Sequence, residues 1–201
     1  MIIKRLFDFC FSLAGLIITL PLFIVIAVVI KITMPGTIFF TQKRVGQFGN
    51  LFTILKLRTM TMNHHGSSIS IKGENRITPF GAVLRKYKLD EIPGLWNILK
   101  GEMSFVGPRP DVPGYADQLM GDDRRILEIR PGLTGPASMK YSNEEELLAL
   151  QEDPIKFNNE EIFPDKVRIN KAYLENWSFW LDIKIIIYTL LGKKLNEPWA
   201  Q

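Results

Sequence analysis

The sequence predicts an α+β chain: an N-terminal membrane-associated helix, a small β-hairpin and several short helices, the last of them amphipathic and suited to a bilayer interface. Three observations carry this. Residues 9–30 hold no charged side chain, two segments rich in β-branched and aromatic residues flank Gly46-Gln47-Phe48-Gly49-Asn50, and short stretches with helical spacing follow, some with capping signals. At 201 residues and 46% apolar composition the chain has room for one domain of ordinary size. A membrane-associated segment, residues 1–34, is expected to precede a body formed by residues 35–201.

The uncharged run is 22 residues long, enough to cross the hydrocarbon core at ~1.5 Å per residue. It exceeds a signal-peptide apolar region and lacks a small-x-small cleavage site, so it is expected to be retained. Pro21 falls near its middle and removes one backbone hydrogen bond, which predicts a kink. The flanking pieces, residues 9–20 and 22–30, are each too short to span, but together they can dip in and return. Lys4 and Arg5 precede the run while Lys31, Lys43 and Arg44 follow it, so basic charge does not place its ends on opposite sides. A kinked single pass is the simpler of the two readings. Cys10, the only cysteine, excludes an internal disulfide and is expected to pack.

Residues 37–44 and 51–58 read as the two arms of the hairpin. Lys56 and Arg58 share one face of the second arm, where solvation is their ordinary explanation unless a phosphate is near. A polar loop over residues 61–76 holds His64 and His65, the only histidines, with no other metal ligands close by. Zinc chemistry, a catalytic cysteine and a Ser-His-Asp triad are all poorly supplied. Thr78-Pro79 then predicts an N-cap and first helical position, with Phe80, Val83, Leu84 and Tyr87 at helical spacing and Arg85 and Lys86 riding on the helix.

Next comes Leu89-Asp90-Glu91-Ile92-Pro93. Ile92, Leu95, Trp96 and Leu99 fall on one helical face that is expected to pack, and Gly101 supplies a stop. Asp90 and Glu91 are therefore expected at or just before the first turn, where free N–H groups attract anions and Pro93 is tolerated. An N-cap explains Asp90 without chemistry. Arg109, however, is locked between Pro108 and Pro110, and its planar fork suits phosphate. An acidic pair and a rigid arginine in one short segment suggest phosphoryl chemistry. A polar helical stretch over residues 117–129 leads to Arg130-Pro131-Gly132-Leu133-Thr134-Gly135-Pro136, read as a second rigid, basic turn.

Residues 144–150 read as an acidic surface helix with Leu147, Leu148 and Leu150 as apolar contacts and no catalytic constellation. Residues 144–161 carry seven acids and one lysine, which leaves 24 basic and 14 acidic side chains elsewhere, against a net +4 for the whole chain. The body is thus basic and fits anionic partners such as nucleotide diphosphates, lipid headgroups or nucleic acid. An apolar helix begins within residues 176–188 and ends before Lys193-Lys194. It is too short to span, and its tryptophans and tyrosine suit a bilayer interface or a core helix with a wet end.

Taken together these segments resemble the bacterial sugar transferase family, specifically the small monotopic phosphoglycosyl transferases. The likeness runs through Lys4-Arg5, Asp8 and Pro21, Phe39-Phe40-Thr41-Gln42, Lys56-Leu57-Arg58-Thr59-Met60, Leu89 to Pro93, residues 97–110, and Arg130-Pro131-Gly132-Leu133-Thr134-Gly135. The resemblance implies transfer of sugar-1-phosphate from a UDP-sugar to polyprenol (undecaprenyl) phosphate, giving a polyprenol diphosphate sugar and UMP, with Mg2+ as cofactor. It implies Asp90 as nucleophile forming a phosphosugar ester, and Glu91 holding magnesium with Asp90 or handling protons. Lys56, Arg85 and Arg109 would stabilise phosphate oxygens, and Arg130 would serve donor binding. It also implies a re-entrant membrane helix broken at Pro21 and returning to the cytoplasmic face of the bacterial inner membrane. Here Leu20, with Thr19 before it, stands where many relatives have a serine, so the break is expected to rest either on Thr19 bonding the carbonyl freed by the proline or on the proline alone. Pro136-Ala137-Ser138-Met139-Lys140-Tyr141 departs from the pattern frequent elsewhere. The rival reading is a noncatalytic membrane-anchored module that binds anionic lipid or nucleotide. Nucleic acid is not an expected partner, because the basic residues are scattered among prolines and glycines. No motif assigns an oligomeric state.

Overall fold

The computed structural model describes residues 2–61 and 77–200; His64, His65 and most of the predicted polar loop lie outside them. Helix α1, Ile2–Thr33, is the one helix among the described residues long and apolar enough to cross a membrane. Only 11% of its most apolar 18-residue stretch is buried. With so much apolar surface unpartnered, α1 associates the chain with a membrane.

One face of α1 nevertheless packs on the body along its length. Lys4 donates to Val106 O and pairs with Asp182, Arg5 donates to Ile98 O and Leu99 O, and Asp8 accepts from Phe105 N. Leu95 approaches Gly15, Phe23 stacks on Phe39, and Ile26, Ile30 and Met34 join Leu57 and Leu84 in one core cluster. Pro21 lies inside α1 and does not end it, so the expected break is not an interruption of the helix. Thr19 Oγ1 donates to Gly15 O at 2.7 Å, not to the Ile17 carbonyl that Pro21 deprives of its donor. Packing on both sides of the proline holds the two halves in one helical run. Cys10 is exposed rather than packed.

The hairpin forms as expected, from strands β1, Phe39–Val45, and β2, Leu51–Leu57, paired antiparallel with Phe39 opposite Leu57. Its turn uses positive φ at Phe48 and Gly49. Arg58 departs from its solvated reading: it is buried and donates to Met34 O and Pro35 O, satisfying carbonyls just past the end of α1. Helix α2, Pro79–Lys86, starts as predicted, with Thr78 Oγ1 accepting from Gly81 N at 3.0 Å. Gly81 is obligatory there, since a Cβ would lie 2.0 Å from Thr59 O.

Helix α3 is shorter than expected, Gly94–Lys100, and a tight turn over Leu89–Glu91 precedes it. Asp90 makes no capping bond, and the amides entering α3 are taken by backbone: Leu95 N donates to Ile92 O and Trp96 N to Pro93 O. Two of the amides expected to attract an anion are therefore already taken. The packed face also differs, being Pro93, Gly94, Asn97 and Ile98, while Trp96 is 50% exposed. Asn97 decides the rotation: its side chain accepts from Leu55 N and donates to Thr53 O, pinning α3 to β2.

Strands β3, Ser104–Val106, and β4, Gly132–Thr134, pair in parallel. The Arg130 segment is thus a strand rather than a free turn, and its glycines allow close approach, with a Gly132 Cβ placed 2.2 Å from Gly107 N. Residues 116–128 form tight 3₁₀ turns in place of the expected regular helix. After α4, Pro136–Lys140, comes α5, Glu144–Ala149, in which Leu148 is buried while Leu150 just beyond it is exposed. Helices α6, Pro154–Phe157, α7, Phe163–Glu175, and α8, Phe179–Leu190, complete the body. Tyr173 and Ile185 meet Val106 and Ile129 in a buried cluster, and Asp182 accepts from Lys4, Tyr173 and Trp177. Trp180, Leu190 and Leu191 stay exposed on α8.

Candidate active site

A cleft of ≈ 780 Å³ runs beside the hairpin and brings together Lys56, Arg85, Asp90 and Arg109. Each is placed by a different element. Lys56 comes from β2 and Arg85 from the last turn of α2. Lys88 takes a left-handed conformation, φ 56°, which turns the chain so that Asp90 follows in the tight turn. Arg109 sits in a loop tied to β1, where Val45 N donates to Asp111 O at 2.9 Å and Arg44 Nη1 to Pro110 O at 3.0 Å.

The two acids of the pair have opposite environments. Asp90 is 8% exposed, and its Oδ1 is buried without a hydrogen-bond partner. Burial, then the neighbouring Glu91 charge, push its carboxyl up, against opposing pulls from Lys56, Arg85 and Lys88. For Glu91 burial also works upward, but Arg109 and Lys56 overcome it and hold the carboxyl down at about 2. Glu91 Oε1 accepts from Lys56 Nζ at 2.7 Å and from Arg109 Nη2 at 3.2 Å. Glu91 does not line the cleft itself; it holds two cations that do. Pairs whose environments separate two adjacent carboxyls in this way mark functional sites.

Arg85 is engaged by Glu145 of α5, and Lys166 by Glu144 at 2.7 Å. The acidic helix, expected to be an inert surface feature, therefore supplies three lining residues of the cleft, Glu144, Glu145 and Leu148. Asp111, Arg44 and Tyr115 line it as well. Burial raises the Asp111 carboxyl to about 6 despite Lys166 and Arg44, and burial with Arg109 lowers Arg44 to about 10. Sequence reasoning passed over all of these. Asp111 carried one usable signal, directly following the Pro108-Arg109-Pro110 clamp; Glu144, Glu145 and Lys166 carried none. Arg130 does not join the others: its Nε donates to Gly101 O at 2.7 Å, serving the end of α3. Pro21 lies within α1 and outside the cleft.

A cleft in which the Asp90 carboxyl keeps an unpartnered oxygen beside Lys56, Arg85 and Arg109 defines a site for anionic, phosphate-bearing substrates. The bacterial sugar transferase family model matches residues 1–193, and the chain belongs to that family. It is 34% identical over its whole length to the uncharacterized sugar transferase EpsL of Bacillus subtilis (strain 168), covering 92% of that protein. A UDP-N-acetylgalactosamine-undecaprenyl-phosphate N-acetylgalactosaminephosphotransferase of Aeromonas hydrophila is 34% identical over 94% of this chain. A UDP-glucose:undecaprenyl-phosphate glucose-1-phosphate transferase of Xanthomonas campestris pv. campestris is 34% identical over 95% of it. The chain spans 43% and 39% of those two longer proteins.

Proposed function

We propose that the protein transfers sugar-1-phosphate from a UDP-sugar to undecaprenyl phosphate, releasing UMP, with Asp90 as the covalent nucleophile. The observation that carries this is the buried Asp90 carboxyl, with one oxygen free of any donor, in a cleft lined by Lys56, Arg85 and Arg109. An Asp90 oxygen attacks the sugar-linked phosphorus, the bond to the bridging oxygen breaks, and UMP leaves. A phosphate oxygen of the prenyl acceptor then attacks the same phosphorus and frees the carboxylate. Splitting the displacement keeps the sugar phosphate activated on the protein. Arg109 and Lys56, fixed by Glu91, and Arg85 face the growing negative charge. Glu91 is thereby a positioning residue for both cations.

Asp90 is also where magnesium fits, because its free oxygen is an uncommitted hard donor. Glu91 stands outside the cleft lining with Oε1 held by Lys56 and Arg109, so as a second ligand it would have to turn its other oxygen toward the ion. Among the described residues no group of three or more His, Cys, Asp or Glu forms a metal cluster, so the remaining ligands would be water and diphosphate oxygens, as is usual for this ion. Magnesium supplies charge screening between the carboxylate and the diphosphate.

The same reading makes residues 1–34 a re-entrant membrane segment that bends at Pro21 without breaking, and residues 35–201 the catalytic body on the cytoplasmic face of the bacterial inner membrane, with α8 at the interface. Its support is that Lys4 near one end of α1 and Ile30 near the other pack on the same body; a single pass would drag that body into hydrocarbon.

Incubation with a panel of UDP-sugars and Mg2+ but no lipid is expected to release one UMP per protein and leave a sugar-phosphate mass on Asp90. Binding without UMP release would favour the noncatalytic module. The Arg85–Glu145 pair makes a further expectation. Glu145 is 42% exposed, so its pairing is worth at most about 1 kcal/mol. Glu145→Ala should free Arg85 for phosphate and tighten inhibition by UMP by up to about fivefold.

A further inference from the structure

The transferase reading leaves open which end of the cleft receives which substrate, and strand β1 supplies an answer that rests on that reading. Its period of two brings Phe40, Gln42 and Arg44 to one face of the hairpin, with Lys56 directly opposite Phe40. All four line the cleft. The chemistry of this face changes along the strand. Phe40 is 45% exposed, Gln42 Oε1 accepts from Arg44 Nη2 at 2.7 Å, and Arg44 lies beside the Asp111 loop. About 13 Å of extended chain separates the aromatic end from the charged end.

The aromatic end joins the membrane helix. Phe39, next to Phe40 and 39% exposed, stacks on Phe23 of α1 with ring centroids 5.8 Å apart. Beside Phe23 the outer face of α1 is bare and apolar, with Ile24 54% and Val25 60% exposed. An isoprenoid chain leaving the bilayer along α1 meets Phe39 and Phe40, both of which line the cleft, before it reaches Lys56. Its phosphate then arrives beside the cation that Glu91 holds. The opposite end offers Arg44 and Tyr115, whose ring packs edge-on against Phe163 with centroids 5.3 Å apart and can carry a base.

We infer that Phe39 and Phe40 form the subsite for the first isoprene units of the prenyl phosphate acceptor, and that the donor nucleoside lies toward Arg44 and Tyr115. The two substrates enter the cleft from opposite ends and reach Asp90 in successive half-reactions.

Full-length protein in lipid nanodiscs provides the test. Phe40→Ala is expected to raise KM for undecaprenyl phosphate about tenfold while KM for the UDP-sugar moves less than about twofold, and Phe40→Leu should restore the acceptor KM. Tyr115→Ala should show the reverse split. Photolysis of wild type with a prenyl phosphate bearing a diazirine on its first isoprene units should label peptides from residues 37–60. A donor KM that rises in Phe40→Ala with an unchanged acceptor KM, or label confined to residues 111–166, overturns the assignment. Wild-type UMP release without acceptor is measured in the same preparation. Its absence would sink the transferase reading itself, whereas UMP release with the wrong KM split would sink only the subsite.

Discussion

Asp90→Asn should abolish transfer, lowering turnover by about four to six orders of magnitude, the range found when a covalent nucleophile is removed. UMP release without lipid and the sugar-phosphate adduct should vanish together. Folding should not suffer. Because burial and Glu91 raise the Asp90 carboxyl, its protonated form is the better tolerated one. Its contribution to stability is therefore full below the ordinary 3.8 and is lost as pH climbs through the raised value. At pH 7 the ionised carboxyl works against folding, and the neutral amide removes that cost. The melting temperature of Asp90→Asn at pH 7 is expected to equal or exceed the wild type's. A marked drop would mean that Asp90 is structural, and normal turnover would remove it as nucleophile.

Glu91→Gln should act in the opposite sense on stability. Glu91 and Lys56 expose only 13% and 19% of their side chains, so removing one charge strands the other in a poorly solvated place. The expected cost is about 3 kcal/mol by urea unfolding at pH 7. Turnover should fall about a hundredfold as Lys56 and Arg109 lose their common anchor. The pH dependence is specific. With the Glu91 carboxyl held at about 2, its stabilisation is present above its ordinary 4.5 and disappears as pH falls through about 2. The stability difference between wild type and Glu91→Gln should therefore be constant from pH 7 to 5 and shrink toward zero by about pH 2. Measured in the Asp90→Asn background, the difference cancels Asp111, whose raised carboxyl titrates in the opposite sense; Asp90 itself would not cancel, because part of its rise comes from the Glu91 charge. A difference that did not vary with pH would show that the Glu91 charge is not what holds the two cations.

Adjacent residues thus carry opposite stability signs, and nothing in the dipeptide Asp90-Glu91 distinguishes them. The distinction comes from Lys56, 35 positions earlier, and Arg109, 18 later. The same holds for Arg85, whose partner Glu145 lies 60 residues away on a helix that periodicity reads as mere surface. Asn97 makes the point for packing. Helical spacing favours Ile92, Leu95, Trp96 and Leu99 as the buried face, but two hydrogen bonds from one amide to β2 turn the helix otherwise.

By itself the sequence determined what short-range rules govern. The charge-free run became α1, the Gly46 to Asn50 segment closed a hairpin, and Thr78-Pro79 capped α2. Chain-long motif order established the family. Only the tertiary structure decided that Pro21 sits within a continuous helix, that Arg58 and Arg130 serve backbone carbonyls, and that Asp90 keeps an unpartnered oxygen while Glu91 is clamped. The physical reason is range. Propensity, caps and periodicity act over about four residues, whereas burial and ion pairing depend on which distant segments meet and how much water they exclude.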